Sequence, residues 1–254
     1  MRRDNRVSIL LCSLMIGFTG CSASTSTPDA PRRTDRVQND TVQLGQGRDR
    51  TGSRTAQHWV SAAEHVAVVS VLSEVRGQPS SAELGRGEGL IGREIDARLD
   101  QVVWSAAKAF PKAPATIRLQ AVGWVFNNND GLGERRFALE GSPRLEPGHS
   151  YVVALDWVDD PCLEDPAEGA WALLGGGGII PADGGVLGAG EFEGTVFTVD
   201  ESRKAWRKTN PTIAGLRDQV VGSDVGALVD RLESATPRPA RPDEGPACDR
   251  TEPD

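Results

Sequence analysis

Histidine is scarce in this 254-residue chain: His58, His65 and His149 are the only three, and no two stand at the i, i+2 or i, i+4 spacing that puts two imidazoles on one face. A histidine-based zinc centre is therefore not expected, and neither is any other metal or cofactor. No Gly-x-Ser-x-Gly turn is present to expose a serine nucleophile, so Ser150 beside His149 reads as a neighbour pair without catalytic meaning. No Gly-Lys-Ser/Thr follows the glycine run 175–178, which reads as a flexible turn and not as a phosphate cradle. Lysine is rare too, 4 residues against 24 arginines, and no basic run lies near a fold signal. With a net charge of −8, nucleic acid is not an expected partner. Long apolar runs are missing as well: a bilayer span needs about 20 residues, and none is found.

What the N-terminus does carry is an address. Arg2, Arg3 and Arg6 form a basic start, and Val7 to Phe18 form a short apolar run broken by Ser8, Cys12 and Ser13, the pattern of an export signal over residues 1–20. The run closes on Phe18-Thr19-Gly20-Cys21, which resembles the lipobox of bacterial lipoproteins, with Phe18 where leucine is usual. The resemblance implies that Cys21 is acylated, becomes the mature N-terminus and holds the chain to the outer face of the cytoplasmic membrane. Acyl chains contribute roughly 0.8 kcal/mol per buried methylene, so two or more give lasting attachment. Loss of residues 1–20, with three arginines and one aspartate, would take the charge from −8 to −10. The bias to arginine, alanine, glycine and valine resembles that of high-GC bacteria.

Residues 21–56 carry too few apolar side chains to form a core and read as a tether, with a reach of roughly 30 Å as a random coil. Residues 236–254, rich in proline and charge, read as an unfolded tail. Between them, 57–235 is the length of one domain. Strict alternation over Glu94 to Asp100 and Thr116 to Ala121 predicts strands with one wet face, and the runs Val66 to Val75 and Tyr151 to Val158 predict two more. Asn127 to Gly131 marks a hairpin turn returning through Arg136 to Glu140, and Glu191 to Val199 adds another strand. Ile213, Leu216 and Val220, then Val225, Leu228, Val229 and Leu232, fall at helical spacing and predict two short helices separated by Gly222 and by Ser223, an N-cap candidate for the second. The expected fold is mainly β: a small antiparallel barrel, or alternatively a sandwich, with two short C-terminal helices padding it. Cys162 and Cys248, an even pair outside the cytoplasm, are expected to form a disulfide between an acidic loop and the tail.

The order of Ala63-Glu-His-Val-Ala-Val-Val, Gln101-Val-Val-Trp-Ser, Pro114-Ala-Thr-Ile-Arg-Leu and Glu146-Pro-Gly-His-Ser-Tyr-Val-Val-Ala-Leu resembles the netrin-like, metalloproteinase-inhibitor-like OB barrels over about 95 residues. It implies the barrel. It does not carry inhibition over, because the free N-terminal cysteine those inhibitors present to zinc is here the acylated Cys21. The acidic stretch Asp156, Asp159, Asp160, Glu164, Asp165 and Glu168 lacks EF-hand spacing and reads as a solvated loop. If Ile117, Leu119 and Ala121 face inward, strict alternation puts Trp124 and Phe126 on the outer face as a contact patch, unless a bulge at Gly123 turns both rings inward. The expected function is a non-catalytic, lipid-anchored binding or interaction module outside the membrane, its partner an envelope protein or a saccharide. The alternatives are an envelope hydrolase and an accessory or chaperone subunit.

Overall fold

The computed structural model describes residues 41–47, 49, 52–158, 169–209 and 214–238. Cys21, Cys162 and Cys248 lie outside the described residues, as does nearly all of the acidic loop. Strand dominates, as the alternating patterns require. Two long central strands, β2 (His65–Arg76) and β3 (Glu88–Ser105), pair antiparallel, after β1 (Gln43–Gly45) and α1 (Ala56–Ala62). The short helix α2 (Ser81–Arg86) joins them, opened by a capping box between Ser80 and Glu83. Then come β4 (Thr116–Asn127), β5 (Gly133–Leu139), β6 (Ser150–Val158), β7 (Ala170–Leu173) and β8 (Ile179–Pro181). The hairpin β9 (Gly190–Phe192) and β10 (Thr195–Phe197) precedes α3 (Val199–Thr209), α4 (Leu216–Val220) and α5 (Val225–Glu233).

The main sheet has eight strands in the order β1-β5-β4-β3-β2-β6-β7, with β8 also on β6. It is mixed, because β1 runs parallel to β5 while the other pairs are antiparallel. The sheet curls until the backbones of β4 and β7 approach, yet no ladder joins them among the described residues, so a closed barrel is not formed. Inside the curl lie Ala67, Val69, Val71, Ile95, Ala97, Leu119, Tyr151, Val153 and Leu155. On β3 and β4 the opposite face is wet, and Arg118, Asp96 and Glu94 pair across it. On β6 both faces are covered: the alternate residues Val152 and Ala154 join a second core with Trp59, Phe192, Trp206, Leu216 and Leu228, contributed largely by the helices. This is why Tyr151 to Leu155 is uninterruptedly apolar while Glu94 to Asp100 alternates.

Several expectations change. The fold begins well before residue 57: Gln43, Leu44 and Gly45 pair with β5, and Ser53 is buried. Glu191 to Val199 is not one strand but a hairpin turning at Glu193 and Gly194, both at positive φ, followed by a helix. The two expected C-terminal helices are α4 and α5, the latter capped by Asp224 and not by Ser223. They are joined by α1 and α3 in covering the sheet, a layer that was not expected from the helical periodicity alone.

Trp124 and Phe126 are buried, 9% and 8% exposed, in a small cluster with Ile91. The register of β4 against β3 slips there, with Ile91 opposite Trp124 but Gly92 opposite Val122, which leaves Gly123 as the extra residue of a bulge. The outward placement drawn from strict alternation is therefore corrected: the bulge reverses the faces and turns both rings in. Gly123 is needed because a Cβ there would fall 3.0 Å from the Ile91 carbonyl oxygen and 3.3 Å from the Arg93 side chain. Over the Trp124 ring lies the Arg144 guanidinium, 5.3 Å from its centroid.

Candidate functional site

The polar interior of the domain comprises two regions, and only one has unfinished chemistry. The first is a saturated network at one end of the curl. Arg93, with no side-chain exposure, pairs with Glu74 at 2.5 Å and donates to the carbonyls of Val122, Leu145 and Arg144. Arg144 pairs with Glu146 and donates to Phe137 and Gly123 carbonyls. Glu191, 1% exposed, accepts from the backbone N–H groups of Arg144, Leu145 and Gly194 and from the Tyr151 hydroxyl. These bonds hold Leu145 at its unusual φ of 66°. Burial, with the Arg144 charge adding to it, pushes the Arg93 guanidinium down despite Glu74. Burial would raise the Glu146 carboxyl, but the Arg144 and Arg136 guanidiniums outweigh it and hold it below the usual range. The Tyr151 hydroxyl is driven up by burial and by Glu191. Every charge here has a partner, as a stabilising network requires.

The second region is a cavity of about 530 Å³, within the range of small-molecule sites. Five parts of the chain line it: Gly47, Asp49 and Gly52 to Arg54; His58 of α1; the turn after β5 at residues 139–142; the glycine run; and α3 with α4. The glycine run owes its place to the edge of β6. Strands β7 and β8 pair with successive parts of that edge, and a 3-10 turn at Gly176–Gly178 bridges them. Its N–H groups are already occupied, Gly176 donating to Asp49 Oδ1 at 2.9 Å and Gly177 to Ser53 Oγ at 3.0 Å. The turn is thus neither flexible nor an open phosphate cradle. Gly177 is required because a Cβ would fall 2.4 Å from Ser53 Oγ. Ser53 is fixed in turn from α1, since Trp59 Nε1 donates to its carbonyl at 2.6 Å.

Arg217 on α4 lies against two aromatic rings that also touch each other, its guanidinium carbon 5.8 Å from the centroid of Phe192 and 5.7 Å from that of Trp206. Its two terminal nitrogens donate to the carbonyls of Gly141, at 2.7 Å, and Gly176. Among the described residues no carboxylate forms an ion pair with it. Loss of water pushes the guanidinium down to about 10; Asp49, Asp218 and Glu193 support the charge from a distance and Arg54 opposes it. Two buried side-chain polar atoms in the described residues have no hydrogen-bond partner, Arg217 Nε and Trp206 Nε1. Both residues line this cavity, and Trp206 is only 4% exposed. A buried donor left unmatched costs about 1–3 kcal/mol, and both atoms are shut off from solvent, so they lie behind the cavity surface and not on it.

The histidines fall apart in space and in role. His65 bridges Ser105 Oγ at 2.8 Å and the Pro111 carbonyl at 3.0 Å beneath Trp171, a structural position. His149 meets Asp183 Oδ2 at 2.6 Å, the other Asp183 oxygen accepts from the Ser150 backbone N–H, and the Ser150 hydroxyl lies 3.4 Å from that of Ser70. His58 lines the cavity, its Nδ1 accepting from the Arg54 backbone at 3.3 Å. No group of three metal-ligating side chains occurs among the described residues.

The sequence reading missed this site. Asp49 and Ser53 were assigned to the tether by composition, and Trp206 carried no periodic signal. Arg217 did carry one: it stands four residues after Ile213 and next to Leu216, hence beside an apolar stripe where a lone charge is out of place. Comparison with protein-family models, curated proteins and solved structures finds no match. The geometry of the cavity is accordingly the basis for a functional reading.

Proposed function

We propose that this chain is a lipid-anchored binding module, held outside the cytoplasmic membrane through an acylated Cys21, that takes a small polar molecule in the cavity beside Arg217. The observation that carries it is the cavity itself, of ligand size and lined by the charged side chains of Asp49, Glu140, Asp218, Arg54 and Arg217. A binding role is favoured over hydrolysis because, among the described residues, no hydrogen bond joins an imidazole to the Ser53 hydroxyl, whose oxygen already accepts from the Gly177 N–H. The Ser53 hydroxyl donates to Asp49, and His58 turns one nitrogen to the backbone. No helix among the described residues is long and apolar enough to cross a membrane, so the anchor in this reading is the lipid. The OB-like barrel belongs to the same proposal: β4-β3-β2-β6-β7 curl round one apolar interior, with the first and last strands approaching, and the helical layer then supplies the ligand wall.

Two measurements test it. Cell fractionation should find the full chain with membranes and Cys21→Ala in the soluble fraction; a wild-type chain released without detergent overturns the anchoring. The indole N–H resonance of Trp206, assigned by its loss in Trp206→Phe, then reports on the cavity. A library of sugars, sugar acids, amino acids and short peptides should contain a compound that moves it. A library that leaves this resonance unmoved while shifting other tryptophans would place the binding surface elsewhere and refute the reading.

A further inference from the structure

Resting on the reading of the cavity as a ligand site, we infer that residues 42–47 and Asp49 form a strap that docks and undocks as one unit and so makes and unmakes one wall of that site. Local opening costs least where backbone hydrogen bonds lie near water and little apolar surface is buried. The strap has that character along its described length: Gln43, Leu44, Gln46, Gly47 and Asp49 are exposed, Leu44 at 46%, and Val42 and Gly45 are only half-buried. Burial begins at Ser53, whose carbonyl is held by the indole N–H of the fully buried Trp59, while Gly52 before it is exposed. The boundary between loosely held and clamped chain therefore falls between Gly52 and Ser53.

What holds the strap is a small set of polar contacts and close approaches. Strand β1 gives β5 three residues of parallel ladder, and the Glu140 N–H donates to the Gly45 carbonyl at 2.8 Å. Gly45 lies so close to the Phe137 ring that a Cβ would fall 2.3 Å from Cζ, and Val42 sits against Gly194 of the β9–β10 hairpin. Farther along, Asp49 accepts the Gly176 N–H at 2.9 Å. Each such hydrogen bond contributes only about 1 kcal/mol, less than the entropy of ordering the residues that make it, so the contacts form and break together. Gly47 and Asp49 line the cavity beside Glu140 and Gly176, and lifting the strap removes that part of the wall. By linkage, a molecule that contacts the completed wall favours the docked strap.

Amide hydrogen exchange of the full-length protein in detergent, read residue by residue by NMR, tests the strap without any ligand. The N–H groups of Glu140 and Gly176 both donate to the strap, while the neighbouring Gly177 N–H donates to Ser53 Oγ on the clamped side. Glu140 and Gly176 are expected to show matched protection, about a hundredfold below that of the β2–β3 ladder, with Gly177 about tenfold better protected than Gly176. Gly45→Ala, which sets a methyl against Phe137, should speed Gly176 exchange about tenfold and leave Gly177 unchanged. Asp49→Ala should speed Glu140 exchange about fivefold, as loss of one hydrogen bond from a cooperative unit predicts. Protection of Glu140 and Gly176 that differs by more than about tenfold, or that equals the ladder's, overturns the strap. So does Gly177 exchanging as fast as Gly176, or Gly176 unaltered in Gly45→Ala. Those results leave the cavity as a ligand site. A library in which no compound moves the Trp206 indole resonance fails that site instead, and a compound that moves it without slowing Glu140 and Gly176 exchange overturns the coupling.

Discussion

Exchange of Arg93 and of Arg217 for methionine should give sharply unequal results, although both guanidiniums are withdrawn from water. At Arg93 the change removes an ion pair at 2.5 Å and strips donors from the Val122, Leu145 and Arg144 carbonyls, leaving Glu74 with only a 3.6 Å contact to Arg144. Breaking one side of such a pair costs about 3–5 kcal/mol. At Arg217 the change removes a charge that burial disfavours. Depression from the ordinary arginine value to about 10 corresponds to roughly 3 kcal/mol, relieved when the charge is gone. Against that stand two carbonyls, Gly141 and Gly176, losing donors at about 1–2 kcal/mol each. The net effect is expected within about 1 kcal/mol of zero.

The pH window follows from the direction of the change. Below about 10, Arg217 is protonated in both folded and unfolded chains and its penalty is full and constant; above about 10 the folded chain loses the proton first, so this residue's contribution to stability improves as pH rises. Urea unfolding followed by circular dichroism, at any pH from 6 to 9, should therefore show one constant difference between wild type and Arg217→Met. With a slope of about 2–3 kcal/mol per molar, Arg93→Met should lower the midpoint by more than about 1 M and Arg217→Met by less than about 0.5 M. If Arg217→Met costs as much as Arg93→Met, Arg217 is a structural staple of the cavity wall and the reasoning from its desolvation is refuted.

Glu191→Gln should destabilise by about 2–4 kcal/mol, because the new amide turns N–H groups toward donors that the carboxylate accepts from; an unchanged denaturation midpoint would show that the network is not what holds the Leu145 turn. Trp124→Ala should cost about 3 kcal/mol or more as a buried ring under Arg144, and a change below 1 kcal/mol in thermal unfolding would restore the outward placement. Glu146, held below its ordinary value by Arg144 and Arg136, supplies stability that is full above about pH 4.5 and lost as pH falls through its folded value; Glu146→Gln should remove that component of acid unfolding, and an unaltered acid titration refutes it. Mass spectrometry of the unreduced chain should find Cys162 and Cys248 in one cross-linked peptide, and free thiols at both would exclude the disulfide.

The sheet was legible where burial is one-sided. Glu94 to Asp100 and Thr116 to Ala121 alternate because one face meets water, and β3 and β4 lie where that pattern predicts. Legibility ended at Gly123, because a bulge reverses faces without changing residue types, and Trp124 looks the same to either reading. It also failed for short elements whose order comes from their surroundings. Gln43–Gly45 is a strand because β5 offers an edge, and its own three residues carry no pattern. The site was illegible for a related reason. Its chemistry lies in what partners are missing around Arg217 and Trp206, and a missing partner is a property of packed surroundings, not of spacing.

The stretch from Gly47 to Arg54 links the two halves of the proposal. By composition it belongs to the tether, yet Asp49 and Ser53 saturate the glycine turn, Trp59 clamps the Ser53 carbonyl, and Gly47 to Arg54 form one wall of the cavity. The part of the chain that leads toward Cys21 is therefore a wall of the ligand site. A domain trimmed at residue 57 to remove the tether would lose that wall, leave the N–H groups of Gly176 and Gly177 without acceptors and uncover the carbonyl partner of the buried Trp59 indole. The proposed ligand binding has therefore to be measured with the chain from Val42 onward intact, since Asp49 and Ser53 line the cavity and hold its glycine turn.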